Sequence, residues 1–254
     1  MLGSEASSVA PSGVSPLGAL LSFLLPSRCA GCGIPRSDIG GGGLCPPCWA
    51  SLPPVDLASA CPHCALPGEG GPCARCRRTV PPVGQAAALG LYLGPLKRLI
   101  GAYKFRGFDI LAAPAAERLA ALARAAGLAA PDALVPVPST KTRNRDRGFD
   151  PARLLAEETG RRLHRPVRPL LERQRDSPAQ SALPARDRDA NVAGAFRSRP
   201  AAGQSLLLID DVVTTGATAF EAARTLLRAG ASRVDLLVLA RTPDGETNPI
   251  PEPA

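Results

Sequence analysis

The chain has 254 residues, of which 45% are hydrophobic, enough for one large domain or two modest ones with packed cores. Aromatic residues contribute only 4%, so Ala, Leu and Val must fill the interior. The formal net charge of +8 favours an anionic partner such as nucleic acid, a polyphosphate or a membrane surface, and no apolar run is long enough to span a bilayer.

The first residues carry no clear structural pattern. Residues 1–16 are small and polar, and we expect them to be disordered. Leu17–Leu25 is apolar, but Glu5 is the only charge before Arg28 and no A-x-A-like cleavage site follows. A short helix that packs on the next domain is therefore favoured over a secretory signal, and we expect a cytoplasmic protein.

All eight cysteines lie in a Gly- and Pro-rich module within residues 17–80. They form four C-x-x-C knuckles separated by twelve, twelve and eight residues: Cys29/Cys32, Cys45/Cys48, Cys61/Cys64 and Cys73/Cys76. Two knuckles supply the four thiolates of one tetrahedral zinc site, so this pattern predicts two closed, structural Zn²⁺ sites. A disulfide scaffold, a redox C-x-x-C and an iron–sulfur cluster are the alternatives.

Sequential pairing of the knuckles needs only short hairpins, and we prefer it to a cross-braced arrangement. His63 lies inside a knuckle and is interpreted as an exposed residue that does not bind metal. The module has few apolar residues, so we expect its folding to depend on metal and its core to be separate from that of the following domain.

Residues 85–242 alternate strand-like and helix-like segments, which predicts an α/β domain with a parallel sheet buried on both faces. We expect strands at about Ala86–Leu93, Ala133–Val137, Ser205–Ile209 and Val234–Ala240. Helices are expected at about Leu96–Tyr103, Ile110–Ala126, Pro151–Leu163 and Thr218–Arg228. The polar stretch Glu172–Arg188 predicts a functional or mobile loop, and residues 243–254 a disordered tail.

The most specific motif is Leu206–Thr218, in which an apolar strand ends in Asp210 and Asp211 before a loop of small residues opens a helix. A phosphate can be held there by backbone N–H groups, the helix N-terminus and hydroxyl donors. The residues expected to hold it are Thr214, Thr215, Gly216, Ala217 and Thr218. The two carboxylates suit a sugar diol with Mg²⁺ nearby. The motif is neither a Walker P-loop nor a dinucleotide-binding fingerprint.

This stretch resembles the signature of type I phosphoribosyltransferases, in which the acidic pair holds the ribose hydroxyls and the loop holds the 5′-phosphate. Further motifs narrow the resemblance to the ComF family of competence-associated, phosphoribosyltransferase-like proteins with an N-terminal double zinc ribbon. They are Tyr103–Gly107, Val135–Pro138, Arg145–Phe149, Gln180 and Asn191–Phe196. The resemblance covers roughly residues 24–242. Where relatives commonly read Asn-Gln, this chain has Asp150-Pro151, so contacts at those positions are not carried over.

The resemblance implies that the turn after Val137 binds a diphosphate through Ser139, Lys141, Arg143, Arg145 and Arg147. Four cations in that turn suit a diphosphate; the alternative is a solvated, basic helix start. The resemblance also assigns Glu172–Arg188 as the loop that closes over substrate. Whether Tyr103–Gly107 contacts ligand or belongs to the core stays open at this point.

Three functional hypotheses follow. The first is an enzyme-like domain that binds phosphoribosyl diphosphate and Mg²⁺ and transfers the phosphoribosyl group with release of pyrophosphate. In that reaction Asp210 and Asp211 would be the catalytic pair that orients the ribose. The second is a protein of DNA uptake that handles single-stranded DNA through its basic cleft, and the third is a zinc-ribbon adaptor for a partner protein. The two histidines, His63 and His164, are poorly placed to serve as a general base.

Overall fold

The structure is a computed structural model that describes residues 28–35, 43–105, 111–140, 145, 147–174 and 192–243. The expected disordered segment 1–16, the expected helix at Leu17–Leu25 and all but the first residue of the expected tail 243–254 lie outside the described residues. Most of the expected closing loop also lies outside them.

The described helices are α1 (Pro46–Ala50), α2 (Ala74–Arg78), α3 (Gly94–Phe105), α4 (Ala112–Ala125), α5 (Pro151–Leu163) and α6 (Ala217–Arg228). The strands are β1 (Ala86–Leu91), β2 (Ala133–Pro136), β3 (Leu171–Arg173), β4 (Phe196–Ser198), β5 (Ser205–Val213) and β6 (Arg233–Arg241). Each of the four strands and four helices expected in the α/β region is present, with bounds that differ by a few residues. The two five-residue helices and the β3–β4 pair are additions.

Four strands form a parallel sheet in the order β1-β6-β5-β2. Side chains of β5 alternate between its faces: Leu206 and Leu208 join the cluster beneath α6, while Leu207 and Ile209 join the cluster with α3, α4 and α5. The sheet is therefore covered on both faces, as the continuous apolar runs predict. All four carboxyl ends lie at one edge, where open α/β sheets bind ligands.

The β3–β4 pair is antiparallel and brackets the expected closing loop. Leu171–Arg173 pairs with Phe196–Ser198, and the Gln174 N–H continues the pairing to the Ala195 carbonyl at 2.8 Å. Glu172 therefore belongs to a strand rather than to the loop. Residues 175–191 lie outside the described part of the chain.

The expectation of two separate cores is wrong. Cys29, Leu44 and Cys45 belong to the same buried cluster as the helices that cover one face of the sheet. The Arg118 guanidinium of α4 lies 3.8 Å from the centre of the Trp49 ring. The module is too short to cover its own apolar residues, so it covers them with α3 and α4.

Candidate functional site

The phosphate-loop residues lie at the carboxyl end of β5. The strand runs to Val213, four residues beyond its expected end, because Asp210 and Val212 stay paired with Val238 and Ala240 of β6. Gly216 then takes the left-handed conformation at φ +86° and is the N-cap of α6. A Cβ at this position would lie 2.6 Å from the Phe220 ring, so only glycine fits both the backbone and the space.

The loop presents the groups that an anion needs. Thr214 is exposed, while Thr215, Ala217 and Thr218 are half-buried around the first turn of α6. The Thr215 hydroxyl accepts a hydrogen bond from the Ala217 N–H at 3.3 Å. Since the first N–H groups of a helix have no partner within the helix, this end of α6 is suited to a phosphate.

The acidic pair is crowded and held in place by a lysine from α3. Lys104 Nζ lies 2.8 Å from Asp211 Oδ1, and the two side chains are only 14% and 10% exposed. The Asp211 N–H donates to Asp210 Oδ1 at 2.8 Å. Burial, together with the neighbouring charge of Asp211, raises the pKa of Asp210 to about 8, and Lys104 works against that rise. The structure thus brings the Tyr103–Gly107 motif to the site through Lys104; Arg106 and Gly107 lie outside the described residues.

The end of β2 forms the neighbouring wall. The Val137 N–H donates to the Ile209 carbonyl at 3.0 Å, which places the turn at Ser139 beside the acidic pair.

Asp150 connects this turn to the start of α5. Its Oδ2 accepts from the Ser139 N–H at 3.4 Å, while its Oδ1 accepts from the N–H groups of Ala152 and Arg153 at 3.1 and 3.3 Å. Asp150 and Pro151 are therefore the N-cap and first residue of α5, which explains this departure from the family pattern.

The basic run is described only in part. Arg145 is exposed and Arg147 is half-buried, both before the start of α5. Lys141 and Arg143 lie outside the described residues. The assignment of this run to a diphosphate stays a prediction.

The eight cysteines form two four-ligand groups: Cys29, Cys32, Cys45 and Cys48, then Cys61, Cys64, Cys73 and Cys76. The sulfur atoms of each group lie within 4.8 Å of one another, with 3.9 Å from Cys32 to Cys45 and 3.8 Å from Cys64 to Cys73. Tetrahedral Zn–S bonds of about 2.3 Å place sulfurs ~3.8 Å apart. The sequential pairing is confirmed, and all four positions of each site are protein ligands.

Backbone hydrogen bonds favour the thiolate form of one cysteine in each group. Cys29 Sγ accepts N–H bonds from Cys45 and Gly31 at 3.2 and 3.3 Å, and Cys61 Sγ accepts one from Cys73 at 3.3 Å. Burial alone raises the pKa of the Cys29 thiol, but the backbone hydrogen bonds outweigh burial and lower it to about 6. The same balance lowers the pKa of Cys61 to about 7. Thiolates are the form that zinc binds.

His63 is not a member of either group. Its Nδ1 lies 3.0 Å from the Val83 carbonyl, and the side chain is half-buried rather than exposed. The expectation that it is no ligand agrees with this geometry; the expectation of an exposed side chain is wrong, because the knuckle packs against the residues that lead into β1.

Sequence reasoning missed one buried residue beside the phosphate loop. Arg241, at the end of β6, is 3% exposed and donates to the Thr214 carbonyl at 2.6 Å and to the Cys64 carbonyl at 3.0 Å. Its partners lie 27 and 177 residues away in the chain. No local pattern reports a contact of that kind.

The parallel sheet, the acidic strand end and the glycine-capped helix define a type I phosphoribosyltransferase-like α/β domain that carries two Cys₄ zinc ribbons. The double zinc ribbon domain family matches residues 20–77. DNA utilization protein YhgH of Escherichia coli K12 is 36% identical over 227 residues, which cover 86% of this chain and 98% of that protein. The chain belongs to the ComF family.

Two further relatives carry competence names. Competence protein F of Haemophilus influenzae is 31% identical over 60% of this chain and 71% of its own length. Competence protein ComFC of Bacillus subtilis is 38% identical over 43% of this chain and 44% of its own. A solved structure of Leishmania donovani UMP synthase is a remote likeness, with a TM-score of 0.32 and 20% identity over 57% of this chain and 24% of that one. Among the helices described, none has the length and apolar character needed to cross a bilayer.

Proposed function

We propose that the chain binds phosphoribosyl diphosphate together with Mg²⁺ at the carboxyl edge of its sheet. The observation that carries this proposal is the arrangement at the end of β5. There Asp210 and Asp211 lie a few residues before the left-handed Gly216, which caps a twelve-residue helix. One ligand that carries both a sugar diol and a phosphate would place the diol beside the carboxylates and the phosphate at the helix N-terminus.

Each part of the ligand has a matching part of the site. The residues at 214–218 take the 5′-phosphate, and the acidic pair takes the ribose hydroxyls. The turn that begins at Ser139 takes the anomeric diphosphate with the cations Lys141, Arg143, Arg145 and Arg147. Loss of pyrophosphate from the anomeric carbon would develop negative charge on the leaving group, and cations in this turn would stabilise that charge.

The donor set fits Mg²⁺. Asp210 and Asp211 offer hard oxygen ligands, and Mg²⁺ is commonly bound by one or two carboxylates with substrate phosphates completing its shell. Burial and the charge of Asp211 raise the pKa of Asp210, and Lys104 lowers it only in part, so a further cation would favour the charged form of both carboxyl groups. When held by Asp210 and Asp211, Mg²⁺ would supply positive charge that offsets the charge of the carboxylates and of the ligand's phosphates. Lys104 pairs with Asp211 and holds its carboxylate in place.

We further propose that this site serves DNA utilisation. The relative named for that role aligns over 98% of its own length, and the net charge of +8 favours a polyanionic partner. Single-stranded DNA would then share the basic edge of the sheet with the sugar diphosphate, and the two ligands would compete.

Calorimetry with phosphoribosyl diphosphate, with and without Mg²⁺, tests the binding. Changing both Asp210 and Asp211 to Asn should weaken binding by roughly 2–4 kcal/mol, because charged hydrogen-bond partners are lost. Asp132→Asn is the matched control, since that exposed carboxylate accepts from the Ser205 N–H at the opposite end of β5. Absence of binding by the wild type, or wild-type affinity in the double variant, would refute the assignment.

A second pair of variants separates diphosphate from DNA. Arg145→Gln with Arg147→Gln should weaken phosphoribosyl diphosphate while leaving ribose 5-phosphate almost unchanged, because only the former carries the anomeric diphosphate. If the run contacts DNA, single-stranded DNA should bind with a salt dependence shallower by about 0.7 per lost phosphate contact. The control is Arg161→Gln with Arg165→Gln, in the last turn of α5 and two residues beyond its end. Unchanged binding of both ligands would make this run a solvated turn.

A further inference from the structure

We propose that the second zinc ribbon, residues 61–76, sets the conformation of the phosphate loop, and that Arg241 is the positioning residue that connects them. This inference rests on the proposed function for its effect on ligand binding. The connection between the ribbon and the loop is made by the contacts of Arg241 and does not depend on any ligand. The zinc site would then support binding from outside the ligand pocket.

Arg241 contacts both partners at once. Its Nε donates to the Cys64 carbonyl at 3.0 Å, within the first knuckle of the second ribbon. Its Nη1 donates to the Thr214 carbonyl at 2.6 Å and lies 3.4 Å from the Val213 carbonyl. The guanidinium is planar and presents its donors in a fixed fork, so one side chain fixes the distance between the knuckle and the loop.

These contacts determine which way the loop's N–H groups point. In a trans peptide the carbonyl of one residue and the N–H of the next point in opposite directions, and the described residues contain no cis peptide. Because Arg241 holds the carbonyls of Val213 and Thr214, the N–H groups of Thr214 and Thr215 are directed away from it. That side of the loop is where a phosphate would be bound. The Thr242 N–H strengthens the arrangement by donating to the Val213 carbonyl at 2.9 Å.

A second contact joins the zinc site to α6. The buried cluster of the second ribbon contains Cys61, Cys64, Leu66 and Cys76, and the half-buried Phe220 packs against it. The same ring fills the space beside Gly216, where a Cβ would lie 2.6 Å from it. Phe220 is on the first turn of α6, so the ribbon supports the helix end that would face the phosphate.

The first ribbon provides an internal comparison. Its residues Gly43 and Trp49 lie against Pro114 and Arg118 of α4, on the other face of the sheet. Both ribbons have four cysteines and similar geometry, and among the described residues the Arg241 and Phe220 contacts given above are made with the second. Loss of one zinc site should therefore affect the loop differently from loss of the other.

The experiment compares Arg241→Lys with Arg233→Lys in the full-length protein. Both changes keep a positive charge on β6, but Arg233 is half-exposed and pairs with Asp235 at the other end of the strand. Zinc content is measured by elemental analysis, and amide hydrogen exchange is followed for peptides covering 212–219. Arg241→Lys should retain two zinc ions and accelerate loop exchange at least about 10-fold, whereas Arg233→Lys should match the wild type.

Ligand binding is measured separately with ribose 5-phosphate. Its affinity should fall about 10-fold in Arg241→Lys, because the phosphate loop loses its fixed geometry. Failure of the wild type to bind this probe would refute the proposed function, while the exchange data would still decide the coupling. Loop exchange equal to wild type in Arg241→Lys, or acceleration spread equally over β1 and β2, would overturn the inference.

A second pair of variants decides the matter if Arg241→Lys does not fold. Cys73→Ser and Cys32→Ser each remove the least buried ligand of one site. Cys73→Ser should lose one zinc and accelerate exchange in the loop, whereas Cys32→Ser should lose one zinc and leave the loop close to wild type. Equal effects of the two changes on the loop would overturn the inference.

Discussion

Asp210 should make the ligand-free protein less stable as the pH rises. Folding raises the pKa of this carboxyl from 3.8 to about 8, because the site buries it next to the charge of Asp211. The folded state therefore binds the proton more tightly than the unfolded chain does. This contribution to stability is present at low pH and is lost as the pH rises toward about 8.

The size of the effect follows from the shift. Each pH unit is worth ~1.4 kcal/mol, so the interval from about pH 5.5 to about pH 8 corresponds to a few kcal/mol at most. Asp210 keeps part of its surface in contact with water, which reduces the effect to about 2 kcal/mol. Asp210→Asn cannot ionise, so its free energy of unfolding relative to the wild type should rise by that amount over the interval.

Urea denaturation of zinc-loaded wild type and Asp210→Asn at several pH values measures this difference. Zinc loss affects both proteins alike, so the comparison isolates the carboxyl. Lys104→Met should extend the wild-type loss to higher pH, since Lys104 is the group that lowers the pKa of Asp210. If the difference in unfolding free energy between wild type and Asp210→Asn stays constant over this pH interval, folding does not raise the pKa of Asp210 and the reasoning is wrong.

Three further predictions concern the framework of the site. Elemental analysis of protein purified without chelator should find two zinc ions per chain; fewer than one would contradict the two-site geometry. Gly216→Ala should lower the unfolding free energy by ~2 kcal/mol or more through its left-handed backbone and the Phe220 clash, whereas Gly127→Ala, left-handed but with open space, should cost ~1 kcal/mol. Asp150→Ala should cost ~1 kcal/mol in urea denaturation, while Asp150→Asn, which keeps the cap, should stay near wild type; equal losses would show that the cap is not the reason.

The sequence predicts the elements of the sheet domain well because its strands are continuous apolar runs and its helices have recognisable ends. The end of β5 is less predictable. Asp210 and Asp211 resemble a turn, yet they remain paired with β6, whose register is set far along the chain. Asp150-Pro151 is different: an acid before a proline is itself a helix-start signal, so its capping role could have been read from the sequence.

The contacts that complete the site could not have been predicted in this way. Lys104 reaches Asp211 across 107 positions of sequence, and Arg241 reaches Cys64 across 177. The shared core of the first ribbon depends similarly on Trp49 meeting Arg118. Spacing rules report neighbours on one helix or strand, whereas these pairs join elements that are far apart in the sequence and meet only in the folded protein.

That order has a consequence for how the protein is made. β6 lies between β1 and β5, although it is the last strand of the described chain to be synthesised. β1 leaves the ribosome early, but its partner strand among the described residues, Arg233–Arg241, emerges last. The zinc ribbons precede β1 and can take up metal at once. β2 can also pair with β5 before β6 is made, but β1 can join the sheet only in one late step. Nascent chains halted before residue 233 should therefore hold zinc yet remain open to proteolysis in the sheet region.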